Sequence, residues 1–179
     1  MQNQMNKDEE NISLVVLGLG SNMGNSRLIV NNAIAALEQE IKELRRASFF
    51  ETDPLYVTDQ AKFLNTAVAG LYSGTPRDLL SYVNYIESRF GRNRSLERHW
   101  GERILDIDIL LFGNILFDEP DLVIPHKLLK ERRFALEPLL ELLPDAADPG
   151  TGFFYWDICQ TLPDQGVIKL PYESEVLPE

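Results

Sequence analysis

The stretch GERILDIDILLFG, residues 101–113, predicts a strand for the middle of a sheet with two carboxylates on one face. Successive side chains of a strand point to opposite faces, so one face is wholly apolar: Leu105, Ile107, Ile109 and Leu111. The other face holds Asp106 and Asp108 between Ile104 and Leu110. Two carboxylates about 6.5–7 Å apart beside apolar side chains repel each other and lose hydration. The pair therefore requires a metal ion or a set of arginines.

The segments before this strand predict a strand, a helix and a second strand. ISLVVLGLG (12–20) is an apolar run typical of a buried strand, and ASFFET (47–52) is a second strand stopped by Asp53 and Pro54. Between them, apolar residues recur at helical spacing, which predicts a buried stripe of Val30, Ala33, Ile34, Leu37 and Ile41.

The glycine-rich segment GLGSNMGN (18–25) favours a tight turn between the first strand and the first helix, with Asn25 or Ser26 as the cap. It lacks both the ending of a Walker motif and the spacing of a dinucleotide fingerprint. We therefore assign this segment no catalytic role.

The following segments complete a β-α-β-β-α-β order, the ferredoxin-like α+β arrangement. FLNTAVAGLY (63–72) predicts a strand, and Thr75 caps a helix with Pro76 at its first position and Asp78 in its first turn. The buried stripe of that helix is predicted to be Leu79, Val83, Ile86 and Phe90. After the 104–112 strand, we expect a short hairpin at 115–125 and a final helix at 132–144, which Pro138 must start, kink or interrupt.

The composition fits one globular domain without a polyanionic partner. A chain of 179 residues with a net charge of -11 repels nucleic acid and anionic membrane surfaces. The lone Cys159 cannot form an intrachain disulfide, and no apolar run resembles a signal peptide or a bilayer span. We expect a cytoplasmic, monofunctional monomer with a polar tail (1–11), one domain (12–159) and a C-terminal extension (160–179).

Arginines concentrate just ahead of the carboxylate strand. Residues 88–103 contain Arg89, Arg92, Arg94, Arg98 and Arg103. Taken alone, they favour a solvated loop with ion pairs to nearby glutamates, and the two aspartates alone favour an edge strand facing water. Together they indicate a nucleotide-dependent phosphoryl-transfer site, because two carboxylates suit Mg2+ and guanidinium groups suit phosphate oxygens.

Two further segments offer ligand-binding side chains. Asn65 is costly on a buried strand face unless a partner complements its amide; a flat heterocycle with an amide-like edge is one such partner, and capping of the adjacent loop is an equally good alternative. IPHKLLKERRFALEPL (124–139) brings His126 into a second basic cluster followed by Phe134, which either stacks on a planar ligand or packs in the core.

Four motifs in order over about residues 12–145 resemble the 6-hydroxymethyl-7,8-dihydropterin pyrophosphokinase family of folate biosynthesis. They are LGLGSNMGN, ETDPLY with DQAKFLNTAV, GRNR with RHWGERILDIDILLFG, and IPHKLLKERRFALEPL. The resemblance implies a ferredoxin-like fold and transfer of the β,γ-diphosphoryl group of ATP to the pterin hydroxymethyl oxygen, with release of AMP. It also implies two Mg2+ ions, ATP as co-substrate and small-molecule partners only.

The same resemblance implies the roles of individual residues. Asp106 and Asp108 hold the metal ions, and Arg92 and Arg103 close over the phosphates with Trp100 helping to seal the loop. The remaining ATP contacts are Glu87, Arg94, Ile109, His126 and Arg132, and the pterin contacts are Thr52, Pro54, Leu55, Phe63, Asn65 and Phe134.

The chain departs from the family pattern at a few positions. Tyr56 and Glu102 replace a usual glycine and a usual proline, Lys127 replaces a usual proline, and the 92–103 loop is longer by a residue or two. The alternative function is a noncatalytic regulator of the same fold that binds pterin or nucleotide. An RNA-binding module is disfavoured by the negative net charge and the lack of an aromatic-rich RNA-binding signature.

Overall fold

The computed structural model of the protein describes residues 12–54, 59–92 and 101–171. Its strands and helices follow the chain as β1 (Ile12–Ser21), α1 (Ser26–Leu37), β2 (Ile41–Arg46), β3 (Phe50–Thr52), β4 (Phe63–Ser73), α2 (Pro76–Arg89), β5 (Asp106–Phe112), β6 (Phe117–Glu119), β7 (Leu122–Ile124), α3 (Arg133–Leu142), α4 (Tyr155–Thr161) and β8 (Ile168–Lys169). A single turn of 3-10 helix, Leu129–Glu131, precedes α3.

One antiparallel sheet organises the described part of the chain. Its strand order is β5-β1-β4-β3-β8, and β2 pairs with β4 beside β3. Among the described residues β5 thus lies at an edge of the sheet, so the prediction that it is a middle strand is wrong. β2 and β3 pair with different halves of β4, so together they take the place of the single second strand that the sequence predicts. The β-α-β-β-α-β order is present, and the predicted ferredoxin-like α+β fold is confirmed.

The sheet has an apolar core on each of its faces. One cluster joins α1 and α2 to the sheet through side chains such as Leu17, Leu37 and Leu79. The other joins α3 and α4 to the opposite face through side chains such as Val16, Leu136 and Tyr155. The sheet is thus covered by helices on both faces, and a cavity opens beside the start of α3.

The first helix is shorter than its apolar pattern predicts. Asn25 caps α1 as expected, since its side-chain oxygen accepts from the Leu28 N–H at 3.1 Å. The predicted stripe Val30, Ala33, Ile34 and Leu37 is buried, but the assignment of Ile41 to it is wrong. Ile41 begins β2 and enters the same core from a strand. β2 was not predicted because four of its six residues are charged and its formation depends on pairing with β4.

The second helix begins as the sequence predicts. Thr75 accepts from the Asp78 N–H at 3.2 Å, and the Asp78 carboxylate accepts from the Thr75 N–H at 3.0 Å, which completes a capping box. Leu79, Val83 and Ile86 are buried; Phe90 is the partly buried C-cap residue.

A β-bulge in β5 interrupts the predicted alternation. Leu17 pairs with Ile109 and Val16 pairs with Leu111, so Leu110 is an extra residue between them. Ile107 and Ile109 pack under α1 and α2 as predicted, whereas Leu110 and Leu111 both pack under α3. The prediction that Leu111 shares a face with Ile109 is therefore wrong beyond the bulge.

Beyond β5, the predicted hairpin is formed by β6 and β7. The predicted helix at 132–144 is α3, with Pro138 buried inside it, but it is not the final one, because α4 packs beside it. β8 then adds to the sheet edge next to β3. Over the described ranges no helix is long and apolar enough to cross a membrane; α2, at 14 residues, is the longest of them.

Candidate active site

A cavity of about 290 Å³ opens on the α3 side of the sheet. Its floor is built by neighbouring positions of β4, β1 and β5, where Gly20 of β1 pairs with Asn65 of β4 on one side and with Asp106 of β5 on the other. Gly18 and Gly20 both line the cavity. A Cβ at Gly20 would lie 2.8 Å from the Asn65 Oδ1, so this glycine makes room for the amide. GLGS is strand rather than turn, and its glycines shape a site that sequence reasoning did not assign to them.

Most of the predicted site residues that the structure describes meet in this one cavity. Those that line it are Thr52, Pro54, Phe63, Asn65, Arg92, Arg103, Asp106, Asp108, His126, Arg132 and Phe134. Glu87 and Ile109 are buried and do not line it, and Ile109 packs in the core under α1 and α2. Leu55, Arg94 and Trp100 lie outside the described residues, as does Tyr56.

The carboxylate pair faces cations from two different segments. Arg92, at the end of the α2 segment, donates to the carboxylates of both Asp106 and Glu87. Arg132 Nη1 and His126 Nε2 lie 3.8 Å and 3.9 Å from Asp108 Oδ2. Each aspartate therefore has its own cationic or imidazole neighbour, as the sequence argument requires of an acidic pair beside apolar residues.

Glu87 is a buried side chain that holds β5 in place. It is 1% exposed, and its Oε1 accepts from the Ile107 N–H at 2.8 Å in addition to pairing with Arg92. The Ile107 amide lies between the two aspartates in the chain, so this contact fixes the start of β5. Glu87 thus holds both Arg92 and β5 from beneath the cavity.

Burial shifts the protonation of two groups on the cavity wall. Burial, together with the charge of Asp106, raises the pKa of Asp108 to about 7, although Arg132 opposes the shift. Burial and the nearby Arg132 lower the pKa of His126 to about 4, so the imidazole is neutral at pH 7. The surroundings of Asp108 thus disfavour its charged form, and a cation or metal ion bound beside it would stabilise that form.

The end of the cavity near β3 is lined by a side-chain amide and by aromatic rings. Asn65 and Thr52 are 6% and 4% exposed, and the Asn65 Nδ2 donates to the Thr52 Oγ1 at 2.8 Å. Phe63 and Phe134 line the same cavity, and the Arg132 guanidinium lies 5.5 Å from the centre of the Phe134 ring. The end of the cavity near β3 is thus suited to a flat heterocycle, and the end near β5 to an anion.

Asn22 is a further site residue that sequence reasoning did not identify. It is 7% exposed and makes a reciprocal pair with Arg103: the Asn22 N–H donates to the Arg103 carbonyl at 2.9 Å, and the Arg103 N–H donates to the Asn22 Oδ1 at 2.7 Å. Its Nδ2 also donates to the Ala61 carbonyl at 3.1 Å. Asn22 therefore fixes the main chain that carries Arg103 to the loop before β4. The sequence signal that could have identified it is a polar asparagine within the glycine-rich segment 18–25.

Asp106 and Asp108 are the candidate metal-binding carboxylates that line the cavity. Across residues 12–54, 59–92 and 101–171, no three histidine, cysteine, aspartate or glutamate side chains group closely enough to hold a metal ion by themselves. Two carboxylates without a third protein ligand fit Mg2+ that completes its coordination with water and substrate phosphates.

Comparison with known proteins places the chain in one family. The family model described as 7,8-dihydro-6-hydroxymethylpterin-pyrophosphokinase (HPPK) matches residues 16–144, which include every residue that lines the cavity. The Pseudomonas aeruginosa 2-amino-4-hydroxy-6-hydroxymethyldihydropteridine pyrophosphokinase is 37% identical over 162 residues, 89% of this chain and 98% of that protein.

Longer relatives contain the same region as part of a larger chain. The mitochondrial folate synthesis bifunctional protein of Arabidopsis thaliana is 41% identical over 138 residues, 76% of this chain but only 24% of that protein. This chain thus spans about a quarter of the length of that plant relative. A crystal structure of Plasmodium falciparum HPPK-DHPS wild type with STZ-DHP has a TM-score of 0.68 at 16% identity, covering 86% of this chain and 44% of that one, which shows a shared fold. By its family model and its full-length bacterial relative, the chain belongs to the 7,8-dihydro-6-hydroxymethylpterin-pyrophosphokinase family.

Proposed function

We propose that the protein transfers the diphosphoryl group of ATP to the hydroxymethyl oxygen of 6-hydroxymethyl-7,8-dihydropterin, giving AMP and the pterin diphosphate in folate biosynthesis. The observation that carries the proposal is a single cavity with an amide and aromatic end and a carboxylate and arginine end. Membership of the pyrophosphokinase family supports it. Both substrates would then be held side by side, which is the main requirement of phosphoryl transfer.

The pterin would bind at the end near β3. Asn65 offers a donor and an acceptor in one plane, and its contact to Thr52 holds that plane fixed. Phe63 and Phe134 are the aromatic rings available in the cavity to stack on the pterin ring. Pro54 lies in the same wall and ends the regular pairing of β3, which leaves main-chain groups for the heterocycle edge.

The triphosphate would bind at the end near β5. Arg92, Arg103 and Arg132 line the cavity, and their planar guanidinium groups suit phosphate oxygens. His126 is neutral and adds one more donor rather than a charge. In this role Arg92 would exchange its present carboxylate partners for phosphate oxygens, which have the same geometry and more charge.

Asp106 and Asp108 would hold the Mg2+ ions, two in number by the family resemblance. Both carboxylates line the cavity at its phosphate end, and Mg2+ prefers such hard oxygen ligands. When bound, Mg2+ would neutralise phosphate oxygens and stabilise the charge that develops on them. Binding it requires Asp108 in its charged form, which the metal itself would favour.

We also propose that the protein acts as a cytoplasmic monomer on small molecules alone. Its net charge of -11 disfavours polyanionic partners, and its one cysteine, Cys159, is buried as a free thiol. Light scattering after gel filtration tests the monomer, for which the expected mass is 20.4 kDa.

The deciding experiment is nucleotide product analysis with purified protein, ATP, Mg2+ and 6-hydroxymethyl-7,8-dihydropterin. We expect AMP only when the pterin and the metal are both present, and none from Asp106→Asn. Asp118→Asn, an exposed carboxylate on β6, is the matched control and should keep the wild-type rate. ADP as the product would contradict diphosphoryl transfer. Binding of both substrates without any product would instead support the noncatalytic regulator.

A further inference from the structure

The segment that follows α4 contacts β3 and the chain just before α3, two segments that lead into the cavity, although it lies beyond the residues that the family model matches. We call residues 162–170 the strap. At its far end, Ile168 and Lys169 pair with Glu51 and Phe50 of β3, and the Leu170 N–H donates to the Phe49 carbonyl at 2.8 Å. The strap is therefore fixed to the strand that leads into the pterin end of the cavity.

The near end of the strap is fixed to α3. The Arg133 guanidinium donates to the Leu162 carbonyl at 3.3 Å and to the Cys159 carbonyl at 3.5 Å, and it also pairs with Glu137. The Cys159 carbonyl also accepts from the Leu162 N–H at 3.3 Å, so Arg133 adds a side-chain donor to the carbonyls where α4 ends. Arg133 thus joins the start of α3 to the start of the strap.

Gln165, in the middle of the strap, binds the main chain on both sides of Arg132. Its Nε2 donates to the Glu131 carbonyl at 2.8 Å, and its Oε1 accepts from the Arg133 N–H at 2.9 Å. The N-cap residue of α3 is Arg132 itself, and it makes no side-chain cap. Gln165 therefore acts as a remote cap that satisfies a donor at the helix start and fixes the chain direction at Arg132.

The turn around Gln165 is itself constrained. The Gly166 N–H donates to the Asp164 Oδ1 at 2.9 Å, and Gly166 has a φ of 64°. A Cβ at this position would lie 3.1 Å from the Asp53 Oδ2, so the strap passes close to the residue that precedes Pro54. The amide of Gln165 is thus presented to α3 from a turn that rests against the pterin wall.

We infer that Gln165 is a positioning residue that sets the direction of Arg132 towards Asp108 and the bound nucleotide, with the strap as its fixed support. The inference rests on the proposed function for the identity of the nucleotide. Arg132 lines the cavity 3.8 Å from Asp108 and over the Phe134 ring. Its main chain is held by the two Gln165 contacts, so their loss lets the guanidinium sample other directions and weakens its contact with phosphate.

The test compares Gln165→Ala with Gln160→Ala, an exposed glutamine on α4 that serves as the matched control. Calorimetry with ATP and Mg2+ should show binding about 3- to 10-fold weaker for Gln165→Ala. The loss is modest because the two missing hydrogen bonds act on ATP only through the contact between Arg132 and phosphate. The KM for ATP should rise by the same factor with kcat nearly unchanged, and the control should match the wild type. Wild-type affinity in Gln165→Ala would overturn the inference.

A double-mutant cycle separates positioning from general stability. In an Arg132→Ala background, Gln165→Ala should have no further effect on ATP binding or on kcat/KM, because the residue through which it acts is gone. The same factor in both backgrounds would overturn the inference. If Gln165→Ala does not fold, Gln165→Glu, which keeps the acceptor for the Arg133 N–H, replaces it. Absence of AMP from the wild type would contradict the proposed function, whereas the binding cycle would still decide the role of Gln165.

Discussion

Gly20→Ala tests whether a missing side chain shapes the cavity. The added Cβ would lie 2.8 Å from the Asn65 Oδ1, a separation that real Cβ atoms do not adopt, so the amide must move. The amide is 6% exposed and donates to the Thr52 Oγ1 at 2.8 Å, so moving it leaves buried polar groups without partners. That loss costs about 1–3 kcal/mol, and replacing glycine in a strand returns about 0.5–1 kcal/mol.

The expected net loss in the free energy of unfolding is therefore about 1–2 kcal/mol. Urea unfolding followed by fluorescence measures it. Pterin binding by calorimetry should weaken about tenfold, because the displaced amide no longer matches the heterocycle edge, while ATP binding stays unchanged. Gly18→Ala is the matched control: its Cβ would lie 3.3 Å from the Leu110 Cδ1, the end of a flexible side chain, so a much smaller loss is expected.

The reasoning can be refuted in an Asn65→Ala background. Without the amide there is no close contact, so Gly20→Ala should cost nothing there and should stabilise slightly. An equal loss of stability in both backgrounds would show that the clash with Asn65 is not the cause. If Gly20→Ala alone changes neither stability nor pterin affinity, the argument from the clash with Asn65 is also refuted.

Three further predictions concern buried charge. Asp108→Asn should raise the free energy of unfolding of the ligand-free protein at pH 8, because the charged carboxylate is disfavoured in the folded state. The expected gain is about 1–2 kcal/mol, since solvent reaches a side chain that is 35% exposed and weakens the effect. That gain in stability should fade as the pH drops below 7 towards 4, and urea melts at pH 8 and pH 5 measure it. A gain independent of pH would contradict the raised pKa of Asp108. The same variant should form no AMP. Because the His126 pKa is lowered to about 4, the unfolded chain takes up a proton first, so the folded state loses up to about 3 kcal/mol as the pH falls from 6.5 to 4. Melts of His126→Gln over this range should show a shallower decline, and an identical slope would exclude the histidine as its source. Asp148→Asn should lower the melting temperature and cost about 1–3 kcal/mol, since the 4% exposed carboxylate accepts from Lys130 at 3.0 Å and from the Thr151 N–H at 2.8 Å. Asp145→Asn, at an exposed carboxylate nearby in the chain, is the control, and equal melting temperatures for the two variants would refute the argument.

Local patterns predicted the regular elements well where one physical signal dominated. The Thr75 capping box and the stripe of α2 follow from side chains a few residues apart, which interact whatever the rest of the chain does. β2 was missed and Ile41 was placed in the wrong element, because a charged strand depends on its partner β4. α4 was missed for a related reason, since a seven-residue helix is stable only against α3.

For the candidate site too, local patterns predicted some features, and contacts between distant segments decided the others. Alternation along one strand was enough to predict that Asp106 and Asp108 share a face, and the structure places both in the cavity. The strand bulge at Leu110, the room left by Gly20 and the buried position of Glu87 come from pairing between strands and could not be read from one segment. The family resemblance brought together residues from four motifs, although it did not indicate what holds them in place.

The amino-acid sequence by itself determined the order of the core elements, the carboxylate pair on β5 and the family of the chain, because these depend on short-range periodicity and on residue types at fixed spacing. Only the tertiary structure decided that Glu87 supports β5 from below, that Asn22 holds the main chain of Arg103, and that Gln165 holds the main chain beside Arg132. Each of these contacts joins residues far apart in the chain. Their free energy exists only once the sheet and helices have packed, which no local pattern encodes.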